Sequence, residues 1–148
     1  MICLQLTEDV KAMKVIACLD DQGGMIFNNR RQSKDRALNA DVVNMAQSTR
    51  LLISPFSQKL FEGADVDLVC RGDFLDIAQA EDYCFVENDP ILPYIDRIDE
   101  FIIYRWNRMY PTDIFFDVDF DKNGFVSVSV EEFEGHSHEV ITKEIFRR

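Results

Sequence analysis

The segment FIIYRW at residues 101–106 constrains this chain more than any other. Its four consecutive apolar residues, Phe101-Ile102-Ile103-Tyr104, offer no polar face. A strand here is therefore buried on both sides and belongs inside a sheet covered by two layers. The chain continues through Arg105-Trp106-Asn107-Arg108 to the Tyr110-Pro111 break and a second apolar burst, Ile114-Phe115-Phe116. Residues 125–130 and 140–146 then read as an antiparallel hairpin. Asn123-Gly124 and Gly135 supply its turn chemistry.

Upstream, residues 15–19 (VIACL) form the first buried strand, ended by Asp20-Asp21-Gln22-Gly23-Gly24, whose glycines tolerate positive φ. A polar, basic loop over residues 28–32 follows. Ser33 is the expected helix cap, with Asp35 in the first turn facing the positive helix end. Leu38, Val42, Met45 and Ala46 recur at helical spacing and supply the buried stripe. Residues 51–53 are a second strand, and Ser54-Pro55 opens a helix over residues 55–61 that Gly63 stops. Strands at 66–70 and 83–86 alternate with short helices at 73–78 and 90–97. The order predicts an α/β fold: a three-layer α-β-α arrangement, its central sheet mostly parallel, with an antiparallel hairpin at the C-terminus. Residues 15–19, 83–86 and 101–105 should lie side by side in the middle of that sheet. Residues 13–148 read as one domain. Residues 1–12 read as an extension, because Met13-Lys14-Val15 itself looks like a protein start.

A length of 148 residues, 47% of them hydrophobic and including twelve Phe, is enough for one proper core. No apolar run approaches the roughly 20 residues that span a bilayer, and the N-terminus is not expected to be a secretory signal. Cys3, Cys18, Cys70 and Cys84 lack C-x-x-C spacing, so they read as reduced packing residues of a cytoplasmic protein. The formal net charge of −11 argues against nucleic-acid binding and favours plain solubility or a basic partner. His136 and His138 are the only histidines. On an alternating strand they would share a face, but no further ligand is spaced nearby and no metal site is expected. Two histidines also exclude a metallo-β-lactamase-type nuclease. Neither a Walker sequence nor a G-x-S-x-G elbow occurs.

With FIIYRW, the acidic-aromatic connection DIFFD and the closing VSVSVEEFEGHSHEVITKEIFRR, the chain resembles a reduced dihydrofolate reductase. VIACLDDQGG stands where that family has its first strand and mobile substrate loop. The resemblance implies that Asp35 lies within a residue or so of the family's active-site carboxylate. It also puts residues 51–57 in the place of the second strand and cofactor-binding turn. The departures bear on the cofactor. Asn28-Asn29-Arg30-Arg31 replaces Leu-Pro-Trp in the substrate loop. Ile53-Ser54-Pro55-Phe56-Ser57 replaces the Gly-Arg and Thr that cradle phosphates. Val86-Glu87-Asn88-Asp89-Pro90 stands where a Gly-Gly pair admits the dinucleotide. Side chains and two acids there would obstruct and repel NADPH, which is not expected to bind.

The resemblance makes Asp35 the candidate proton donor, partly buried between the first helix and the first strand, with Trp106 or Phe27 nearby. Burial without a cationic partner would raise its pKa; as a plain first-turn acid it would only complement the helix dipole. Arg30 and Arg31, with Trp106, are the candidate substrate contacts, the arginines through forked geometry. Ser54 and Ser57 are the candidate anion contacts at a helix N-terminus, Ser54 doubling as a cap. Three functional readings follow: a binding domain with a degenerate dinucleotide site, a reductase of a pterin-like substrate using Asp35, and an acidic module, of the immunity-protein kind, for a basic protein partner.

Overall fold

In the computed structural model, which describes residues 12–148, the FIIYR run lies inside strand β7 (Ile98–Arg105). One neighbour is β1 (Met13–Leu19), parallel to it with Val15 opposite Phe101 and Ala17 opposite Ile103. On β1's far side lies β6 (Tyr83–Phe85), also parallel. The three expected central strands are thus contiguous. Residues 1–11, most of the expected extension, lie outside the described residues.

The remaining strands are β2 (Gly24–Phe27), β3 (Arg30–Arg31), β4 (Arg50–Ile53), β5 (Asp67–Cys70), β8 (Ile114–Phe115), β9 (Val126–Phe133) and β10 (Ile141–Arg147). The main sheet has the order β5-β4-β6-β1-β7-β10-β9. Only β10 runs against its neighbours, pairing antiparallel with both β7 and β9. The fold is α/β, with a mostly parallel sheet and a C-terminal antiparallel hairpin.

Alternate residues of β7 feed two cores. Phe101 and Ile103 join Val15, Ala17, Phe74, Ile91 and Phe125 on one face. Ile102 and Tyr104 join Ile16, Leu38, Val42, Leu51 and Phe61 on the other. That division explains the missing polar alternation: every β7 side chain from Glu100 to Tyr104 is buried. Phe101 meets Phe116, Phe120 and Phe125 edge-on at 5.8, 5.2 and 4.9 Å between ring centroids, which accounts for the aromatic spacing of DIFFDVDF.

Several local expectations are corrected. The helix cap is Asp35, not Ser33: Asp35 has extended backbone (φ −152°, ψ 129°) and caps α1 (Arg36–Met45). Its extended backbone sets it at the boundary position, from which Oδ1 reaches the amides of Ala37 and Leu38. Pro55–Phe61 and Leu92–Arg97 are 3₁₀ turns, because short segments do not sustain an α-helical nucleus, while α2 (Phe74–Ile77) is the single helical turn expected within residues 73–78. The Ser54 side chain makes no capping bond. Residues 28–32 are not a plain loop. Asn28 and Asn29 both take positive φ, 55° and 62°, closing a tight β2–β3 hairpin. Asn tolerates that region well, and two such residues are what a primed two-residue turn needs. This hairpin and β8 form a second, three-stranded sheet. Finally, His136 and His138 lie in the β9–β10 loop rather than on a strand, so no strand alternation places them.

Candidate functional site

The β9–β10 loop is held against the start of α1 through Asp35. Its Oδ1 accepts from the amides of Ala37 (2.8 Å), Leu38 (3.3 Å) and His136 (2.9 Å). Oδ2 accepts from the Ser137 amide (2.8 Å) and pairs with His138 Nδ1 (2.9 Å). An ionised carboxylate only accepts, so Nδ1 carries the imidazole proton. The other imidazole nitrogen, Nε2, meets the hydroxyls of Ser33 and Tyr110, each at 3.1 Å. Trp106 stacks on the imidazole, 4.6 Å between centroids. Gly135 makes the approach possible: a Cβ there would lie 2.6 Å from the His138 carbonyl and 2.8 Å from Asp35 Oδ2.

Asp35 is 1% exposed. Burial pushes its carboxyl upward, but the bonds from His136, His138, Ser137 and Leu38 outweigh that and hold it well below the usual carboxylate range. This reverses the raised pKa expected from burial alone, because a histidine partner and a ring of amides were invisible to local sequence. The Asp35 bonds tie the start of α1 to the β9–β10 loop. Phe27 stands half exposed at the end of β2, whereas Trp106 stacks on the His138 ring that pairs with Asp35.

A second network sits where β1 and β6 end, the edge at which open α/β sheets place their ligands. Glu87, one residue beyond Val86, accepts from Arg31 through Oε2 (2.8 Å) and Oε1 (2.9 Å), and from the Ser57 hydroxyl (2.7 Å). Arg31 also donates to the Phe56 carbonyl and lies over the Phe56 ring. The cavity beside them, lined by Cys18, Leu38, Phe85, Glu87 and Trp106 among others, measures about 20 Å³, room for about one water. Burial, and then Glu87, push the Cys18 thiol well above its ordinary value, so it is no thiolate nucleophile.

The structure thus brings Arg31, Ser57 and Trp106 to one cavity wall or its immediate edge, and separates them from Arg30, which faces solvent. Ser54 is buried but makes no side-chain cap. Sequence reasoning missed His138, Tyr110 and the Glu87–Arg31 pair. Glu87 carried a signal, as an acid beside the strand end, yet its partner lies 56 positions away. The open groove outside the cavity, lined by Asn29, Arg30, Arg31, Ser33, Lys34, Phe56 and Ser137, measures about 730 Å³. No cluster of three or more His, Cys, Asp or Glu that suits a metal ion occurs among the described residues.

Searches against protein-family models and against curated proteins return no match. Among solved structures, the chain is similar to a dihydrofolate reductase from Enterococcus faecalis, complexed with NADP(H) and RAB-propyl. The TM-score is 0.66 over 93% of this chain and 96% of that one, at 10% identity. At that identity the likeness is one of fold alone, and the fold of this chain is dihydrofolate reductase-like.

Proposed function

We propose that this chain is a ligand-binding domain on a dihydrofolate reductase-like frame, not a hydride-transfer enzyme. The observation that carries the reading is the Glu87–Arg31–Ser57 network. It fills the carboxyl edge of β1 and β6 with the protein's own side chains and leaves about 20 Å³ beside them. A nicotinamide ring does not fit that space, and the residues present do not suit the cofactor: Glu87, Asn88 and Asp89 follow β6 where close backbone approach would be needed. Asp35 supports the same reading. Its oxygens already accept five bonds, and its depressed pKa is the reverse of what a proton donor near neutrality requires. Calorimetric titration with NADPH, alongside thermal shifts with NADPH and with dihydropterin, tests the proposal. No heat of binding and no oxidation of NADPH, followed by the loss of the reduced cofactor's absorbance, are expected. Micromolar NADPH binding, or turnover of the pterin, would refute it and restore the reductase reading.

A further inference from the structure

The charge distribution outside the cavity is uneven in a way the net charge hides. Seven of the described lysines and arginines form ion pairs: Lys14, Arg31, Arg50, Arg71, Arg105, Lys143 and Arg147. Arg97 and Arg148 donate to main-chain carbonyls. Six others have no carboxylate partner among the described residues, and four of these, Arg30, Lys34, Arg36 (which donates to His136 Nε2 at 2.7 Å) and Lys59, line adjoining grooves. Lys34 and Ser137 are common to both grooves, which makes the surface continuous. Among the described residues the one carboxylate lining it is Asp35, and that is buried and fully bonded. In a chain of net charge −11, where other cations are mostly matched, unmatched cations gathered on one concave surface mark a place for negative charge.

We infer that this groove binds a small organic polyanion, one bearing two or more phosphoryl or carboxylate groups. Arg30 is exposed at the tip of the β2–β3 hairpin while its neighbour Arg31 turns inward to Glu87, the alternation a strand imposes. Arg30 therefore keeps its planar fork of donors for a ligand, and Lys34 and Lys59 add compact charges. The hydroxyl of Ser137 and the amide of Asn29 line the same surface and can complete the shell of an anion. The groove volume, about 730 Å³, suits a metabolite rather than a folded partner. This inference rests on the closed cavity only in placing the ligand outside it.

The test titrates the full chain with inorganic tripolyphosphate and with citrate, by calorimetry and by the fluorescence of Trp106, its single tryptophan. Binding is expected for at least one, weakening as salt is raised. Preference for tripolyphosphate identifies a phosphoryl ligand, and preference for citrate a polycarboxylate. The double variant Arg30→Ala/Lys34→Ala should bind at least about tenfold more weakly. The double variant Arg108→Ala/Lys122→Ala removes the same charge elsewhere and should bind like the parent. All four substitutions are at exposed positions, and matching melting curves confirm folding. Silence toward both anions, or equal weakening by the two double variants, overturns the groove, whatever NADPH does. NADPH binding that Arg30→Ala/Lys34→Ala leaves intact overturns the closed cavity, whatever the two anions do.

Discussion

Asp35→Asn probes the link between helix α1 and the β9–β10 loop. The carboxylate accepts five hydrogen bonds, three on Oδ1 and two on Oδ2. Asparagine keeps one acceptor oxygen, which can continue to serve Ala37, Leu38 and His136. Its amide nitrogen then faces the Ser137 amide, donor against donor, and His138 must move its proton to Nε2, toward the Ser33 and Tyr110 hydroxyls, to accept at Nδ1. The buried donor left without a partner and the lost charge-assisted bonds together cost about 2–5 kcal/mol. An acid that merely complemented the helix dipole would lose only about 0.3–1 kcal/mol. For a chain of this size the larger figure corresponds to a fall in Tm of roughly 5–15 °C. Urea unfolding followed by Trp106 fluorescence measures it, since the indole stacks on His138 and reports the loop directly. A cycle with His138→Gln isolates the pair and should return a coupling above about 0.5 kcal/mol. A loss below about 1 kcal/mol for Asp35→Asn, or no coupling in the cycle, would refute the tethering argument.

The same carboxylate sets an acid limit. Its folded pKa lies below the unfolded value of about 3.9, so its contribution is complete above that value and is lost as pH falls toward the folded one. The parent should lose stability steadily on going below about pH 5, and Asp35→Asn should flatten that limb of a stability-pH curve. Gly135→Ala forces a Cβ to 2.6 Å from the His138 carbonyl and 2.8 Å from Asp35 Oδ2, both fixed atoms. It should lower stability by about 1–3 kcal/mol, with faster hydrogen exchange in the β9–β10 loop as the local signature. Arg31→Met strands Glu87, whose side chain is 9% exposed, and should cost about 3–5 kcal/mol. Adding Glu87→Gln to it should recover most of that loss, and failure to recover in chemical denaturation would show the pair is not coupled.

The apolar run in β7 was enough to place a central strand, because four residues without a polar position can be accommodated only where both faces of a sheet are covered. The hairpin of β9 and β10 was equally legible. Its strands are local in sequence, and Gly124, at φ 81°, and Gly135 punctuate them. The alternation of strands and helical turns pointed to a mostly parallel sheet, and the continuous apolar runs to β6, β1 and β7 as its central strands, whereas the place of β4 beside β6 came only from the tertiary structure. The site was legible only as a set of residue types. Asp35 reads as a first-turn acid until folding brings in the β9–β10 loop, about a hundred positions away, and with it the two amides and the imidazole that hold the carboxyl ionised. Glu87 likewise reads as an unmatched acid until the β2–β3 hairpin delivers Arg31 and the turn after β4 delivers Ser57. Propensity and periodicity act over a few residues, whereas the ionisation and pairing of a buried group depend on whatever the tertiary fold places within about 4–6 Å of it. That is why the frame was readable from the chain, and why the closure of its cavity and the unmatched cations beside it were decided only in three dimensions.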